Sequence, residues 1–183
     1  MKNGKKLMAV IGLMGGLQGG FAEELLSGPY TFGATGSVHV KPAMLADGWG
    51  MTVGGAWESI INKTVTAGFE VDADIPVVSY PTPKGEPIQM VAGGLRLGAL
   101  LASDQVVHGM FNNTIGVGLV ADQTFLLDEV SAGGEINVTK AIRIFGAAGW
   151  RYTYGINNDH GLSDTNARGL FFDVGLRYGE IGS

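Results

Sequence analysis

The stretch that most constrains this chain is RGLFFDVGLRY, Arg168 to Tyr178. Leu170, Phe172, Val174, Leu176 and Tyr178 fall on one set of alternate positions, and Gly169, Phe171, Asp173, Gly175 and Arg177 on the other. An extended strand sends successive side chains to opposite faces, so one face here is wholly apolar and the other mixes glycine with charge. Ala141 to Tyr154 repeats the pattern. Ile142, Ile144, Gly146, Ala148, Trp150, Tyr152 and Tyr154 oppose Arg143, Phe145, Gly149, Arg151 and Thr153, which puts both arginines on the same face of one strand.

The same alternation predicts eight strands, near 35–44, 48–57, 63–72, 88–101, 106–120, 124–137, 141–155 and 167–178. In the third, Val65, Ala67, Phe69 and Val71 oppose Thr64, Thr66, Gly68 and Glu70; in the fourth, Val91, Leu95, Leu97 and Leu101 oppose Ala92, Gly94, Arg96 and Gly98. The sixth sets Leu126, Val130, Ala132, Ile136 and Val138 against Glu129, Ser131, Gly133 and Glu135, with Asp128 as the one charge in the apolar set.

Two kinds of barrel could close from such strands. A soluble barrel would turn the polar set to water, and that set should then be dense in Lys, Glu and Asp and poor in glycine. Here it is sparse and consists largely of Gly, Ala, Ser and Thr, which suits a narrow interior with room for few long side chains. The apolar set ends in aromatics, Trp150, Tyr152 and Tyr154, as a lipid-facing band does. The expected fold is therefore all-β, an eight-stranded antiparallel up-and-down transmembrane β-barrel. Short turns near 58–62, 102–105 and 138–140 would lie at one end; Ala46 to Gly48, Asp72 to Pro87, Ala121 to Gln123 and Ile156 to Asn166 would lie at the other.

Composition fits an exported barrel. Lys2, Lys5 and Lys6 precede an apolar run from Leu7 to Leu17 and small residues ending at Ala22, which reads as a signal peptide over 1–22 ahead of a barrel over 23–183. Removing three lysines and no acids takes the formal charge from -5 to -8, an acidic balance that argues against a nucleic-acid partner. There is no cysteine, hence no disulfide framework and no lipoprotein anchor. No later segment reaches the roughly 18 apolar residues of a membrane-spanning helix.

Inward alternation collects Lys41, Arg96, Arg143, Arg151 and Arg177 against Glu70, Glu129, Glu135 and Asp173. Charges in a closed interior must be paired or hydrated, so an ion-pair network filling the lumen is expected. Glu129 and Glu135, on the strand before the two arginines, are the candidate counter-charges for Arg143 and Arg151. A side-chain plug that sets strand register is preferred to a gated conduction path, because eight strands enclose little free space.

Other chemistry is weakly encoded. His39, His108 and His160 are present, the last with Ser163 nearby, but no nucleophile, base and orienting acid stand in a pattern that implies mutual reach. Asp159, His160 and Asp164 fit solvent-facing loop chemistry better than a metal site. No catalytic residue, cofactor or metal is expected. The GG pairs at 54–55, 93–94 and 133–134 open no helix after a strand and are not phosphate loops. Asn137-Val138-Thr139 matches a glycosylation acceptor and reads more simply as a tight turn.

EINVTKAIRIFGAAGWRYTYGINNDHGLSD (Glu135 to Asp164) and GLFFDVGLRYG (Gly169 to Gly179) resemble an uncharacterised family of small bacterial outer-membrane barrel proteins. GMTVGGAWESIINKTVTAGFEV (Gly50 to Val71) is similar to that family's glycine-rich hairpin, and VAGGLRLGAL (Val91 to Leu100) to its next strand. The resemblance implies an outer-membrane barrel and brings no established activity. The expected partner is the outer-membrane lipid bilayer, with envelope or surface partners reached through Asp72 to Pro87 and Ile156 to Asn166. The alternatives are a narrow channel or small-ligand transporter using the polar lumen and, behind it, a lipid-modifying enzyme.

Overall fold

The computed structural model describes residues 34–45, 48–62, 64–74, 89–102, 105–120, 123–139, 141–156 and 163–179. The expected signal peptide, residues 75–88 of the longest loop, and the stretch 157–162 with His160 lie outside the described residues.

Eight strands follow one another: β1 (Ala34–Leu45), β2 (Gly48–Asn62), β3 (Val65–Asp74), β4 (Met90–Leu101), β5 (Val107–Val120), β6 (Gln123–Asn137), β7 (Ile142–Tyr154) and β8 (Gly169–Gly179). A one-turn helix, α1 (Asp164–Ala167), precedes β8. Each strand pairs antiparallel with the next, and β8 closes on β1, giving an eight-stranded antiparallel up-and-down β-barrel. Closure leaves no sheet edge, and the β1–β8 ladder is interrupted only at Lys41 and Pro42.

β2 and β3 run two or more residues past their expected ends, and β4 and β8 start two residues later than expected, β8 because Asp164–Ala167 forms a helical turn. β2 continues to Asn62, so the turn expected near 58–62 contracts to the residues between Asn62 and Val65; β3 runs on to Asp74. The ladders decide this: Ala34 pairs with Ser59 on one side of β2, and Thr52 with Asp74 on the other. A register shift between Ile60 and Asn62 ends the β2–β3 pairing with a bulge. The polar run at Glu58 and Ser59 looks like turn chemistry locally, but pairing on both flanks holds it in the sheet.

Alternation separates inside from outside. Leu95 is 71 % exposed, whereas its neighbour Arg96 is 1 % exposed, so the hydrophobic side chain faces out and the cation faces in. The outward set includes Val38, Val117, Leu119, Leu126, Val174 and Leu176, all exposed. At the narrow interior, glycine allows backbones to approach. A Cβ on Gly94 would lie 2.7 Å from the Cα of Gly116, its in-register partner on β5, a spacing that no side chain tolerates.

The lumen is layered. Ala43, Met90, Val120, Phe125, Leu127 and Phe171 belong to an apolar cluster toward the end where β1 leads into β2, and Ile156 and Ala167 from the β7–β8 connection join it. Leu100, Met110 and Phe145 form a second cluster toward the opposite end. Charged side chains fill the lumen alongside these two clusters.

The connections are tied down by short-range bonds. Asp164 accepts from the backbone N–H groups of Gly155 (3.0 Å) and Ile156 (2.8 Å), and the Thr153 hydroxyl donates to the Asp164 carbonyl. Arg168 donates to the Thr153 carbonyl and lies over the Tyr154 ring. At the opposite end Thr139 Oγ1 accepts from the N–H groups of Ala141 and Ile142, closing the β6–β7 turn.

Candidate functional site: the charged lumen

Every strand contributes to the charged layer, because each contributes at least one long polar side chain to its inward set. Lys41 on β1 is the hub of the half nearer the larger apolar cap. Its ammonium donates to Glu70, to Asp72 Oδ2 at 2.6 Å and to Glu129 Oε2 at 2.7 Å. Glu129 accepts at its other oxygen from Arg151 Nε, 2.6 Å away. Glu70 accepts from Arg96 NH1 at 2.7 Å and from the Thr114 hydroxyl at 3.0 Å.

Arg96 carries the chain of contacts toward the other cap. Its Nε lies 3.5 Å from Glu58, which also accepts from the Thr66 hydroxyl and lies 3.0 Å from Arg177. Arg177 reaches Glu135 at 2.8 Å, and Glu135 lies 3.3 Å from Arg143 and 3.4 Å from His108. One continuous path of ion pairs thus runs Arg151, Glu129, Lys41, Glu70, Arg96, Glu58, Arg177, Glu135, Arg143. The cations also pack on rings: Lys41 over Phe171 at 5.5 Å and Arg177 over Phe145 at 5.6 Å, which joins the charged layer to both apolar caps.

All nine residues singled out in the lumen from sequence are buried. Arg151 pairs with Glu129, directly across the β6–β7 ladder, and Arg143 with Glu135 on the diagonal. Asp173 lines the same space as Lys41, Glu70, Arg96 and Glu129, but its Oδ1 has no hydrogen-bond partner. The gaps among these side chains leave no room for a water molecule.

Sequence reasoning missed four participants. Glu58 lay in an expected turn, and Asp72 at the start of an expected loop; extending the alternation of β2 and β3 by one step would have found both. His39 and His108 were weighed only as catalytic groups. In the barrel His39 Nε2 shares a 2.7 Å hydrogen bond with Asp72 Oδ1, and His108 faces Glu135. The expected balance of five cations to four anions becomes Lys41, Arg96, Arg143, Arg151 and Arg177 against six carboxylates, Glu58, Glu70, Asp72, Glu129, Glu135 and Asp173, with two histidines beside them.

The His39 Nε2 and the carboxylates of Glu70 and Asp72 come within 4.8 Å of one another, a donor set able to hold a cation. The Lys41 ammonium already lies against both carboxylates. In chemical terms the layer is a set of fixed, mutually neutralising charges.

No protein-family model and no curated protein sequence matches the chain. Among solved structures it is similar to Neisserial surface protein A, with a TM-score of 0.61 and 13% identity over 80% of this chain and 96% of that one. It is also similar to the N-terminal β-barrel domain of Pseudomonas aeruginosa OprF, with a TM-score of 0.57 and 11% identity over 84% of this chain and 99% of that one. At these identities the likeness establishes a shared fold.

Proposed function

We propose that the protein is a non-enzymatic outer-membrane barrel, inserted in the lipid bilayer after export on a cleaved segment 1–22, that contributes to envelope structure or surface interaction through its loops. The observation that carries this reading is the lumen: a continuous ion-pair path contributed by seven of the eight strands, with apolar clusters toward both ends. Such an interior holds the strands in register and is unsuited to passing solutes, since displacing any member would leave a buried charge unpaired. The exterior of Val, Leu, Ile and aromatic side chains, with Asp128 as its one charge among the described strand residues, suits hydrocarbon. The two structural neighbours add support, one being a surface protein by name and the other the barrel domain of OprF.

The test joins electrophysiology with loop deletion. In planar bilayers the intact barrel should give no discrete conductance, and shortening the connections within 75–88 and 157–162 should abolish binding to envelope partners without creating one. A defined conductance in the intact protein that is lost in Arg143→Ala or Arg151→Ala would overturn the reading in favour of a channel. Membrane insertion is tested separately: heat-modifiable migration of the outer-membrane fraction is expected, and recovery from the soluble periplasm would refute it.

A further inference from the structure

Of the six carboxylates buried in the lumen, five have a lysine or arginine within reach. Glu58 lies 3.0 Å from Arg177, Glu70 2.7 Å from Arg96, Asp72 2.6 Å and Glu129 2.7 Å from Lys41, and Glu135 2.8 Å from Arg177. Asp173 on β8 is the sixth. It is 1 % exposed, it forms no ion pair or hydrogen bond among the described residues, and its Oδ1 is sealed from solvent without a partner. An ionised carboxylate buried with neither cation nor donor is costly.

The surroundings explain why no donor turns to it. Val40 pairs with Val174 and Ala43 with Phe171, so Lys41 stands opposite Asp173 at the break in the β1–β8 ladder. An ammonium has three N–H donors, and Lys41 gives its own to Glu70, Asp72 and Glu129. Arg96 turns NH1 to Glu70 and Nε toward Glu58, and His39 Nε2 is engaged with Asp72. On the other flank Asp173 faces Ala147 of β7, which offers no charge. Water cannot supply the donor either, because the gap beside Asp173 has no room for a molecule. Glu70 and Glu129 line that gap, together with the Thr114 and Ser131 hydroxyls, so an ionised Asp173 would add a third negative charge to two already there. A protonated carboxyl has no charge to solvate and carries an O–H that these oxygens can accept.

We propose that Asp173 is a proton-binding site of the lumen, a neutral carboxylic acid at neutral pH beside five ionised and paired carboxylates. Loss of that proton would place a third anion against Glu70 and Glu129 and draw Lys41 away from its three partners. Occupancy of the site therefore couples the ion-pair hub, and with it the closure of β8 on β1, to pH. The inference requires only the folded barrel, so its failure and the failure of the envelope reading are separate outcomes.

Infrared spectra of the refolded full chain at neutral pH should contain a protonated-carboxyl C=O band that shifts on isotope labelling of the aspartate carboxyls and vanishes in Asp173→Asn. Unfolding equilibria give a second reading. The native chain retains a proton that the unfolded chain, whose aspartate carboxyl titrates at about pH 3.9, has released by neutral pH. Wild-type stability thus loses, as pH rises above about 4, a contribution that Asp173→Asn never had. The ratio of wild-type to variant unfolding constants should rise close to tenfold per pH unit between about pH 5 and about pH 7. Absence of the band in the wild type, or a band indifferent to aspartate labelling, would overturn the proposal without any variant having to fold. A band that survives Asp173→Asn, or a ratio that does not change with pH, would overturn it equally.

Discussion

Lys41 carries more of the lumen than any other side chain. Its ammonium serves Glu70, Asp72 and Glu129 together, so Lys41→Met would leave three buried carboxylates to share the remaining cations. Breaking a buried pair typically costs about 3–5 kcal/mol, and urea unfolding of the refolded barrel should show a loss of that size. Arg151→Met should cost less, about 1–3 kcal/mol, because Glu129 keeps its bond to Lys41 when Arg151 is removed. Equal losses in the two variants would contradict the hub role. The Arg151–Glu129 pair could be anticipated from alternation and the adjacent hairpin strands. The Lys41–Glu129 bond could not, since its partners stand 88 residues apart on strands that are not neighbours.

Strand pairing makes a different demand, and the seam between β4 and β5 shows it. Gly94 and Gly116 face each other in register, and a Cβ on Gly94 would also meet the Ile115 carbonyl at 2.5 Å. Gly94→Val should therefore force the two strands apart. The expected outcome is faster amide exchange along β4 and β5 and a smaller fraction of heat-modifiable protein, with β1 and β8 less affected. Gly118 marks another such place: a Cβ there would collide with the Phe125 ring of the larger apolar cap. Gly118→Val should then cost about 1–3 kcal/mol by overpacking, measured by the same unfolding assay. Sequence could class these glycines as inward and small. Which of them abut a backbone and which make room for a ring depends on shear and on the packing of the opposite wall.

For the whole barrel, the lumen charges are buried away from bulk solvent, and this predicts how it should respond to salt. Surface ion pairs weaken as ionic strength rises, whereas buried pairs are screened far less. Raising sodium chloride to about 1 M, where the screening length is only about 3 Å, should leave the unfolding midpoint nearly unchanged. A marked fall would mean that water and ions reach the network, which would also revive the channel reading.

The amino-acid sequence alone determined which side chains face inward and which outward, because a period of two is a local property that needs no knowledge of neighbouring strands. Phe171, Asp173 and Arg177 were placed inside, and Phe172, Val174 and Tyr178 outside, on that basis. It also indicated the number of strands, through the turns that interrupt the alternation. Tertiary structure decided where strands stop, since β2 keeps Glu58 and Ser59 through pairing on both sides. It also decided which charge meets which, since closing eight strands brings side chains from opposite walls within hydrogen-bonding reach. A linear pattern records the face a residue occupies; only the closed ring determines what stands across from it.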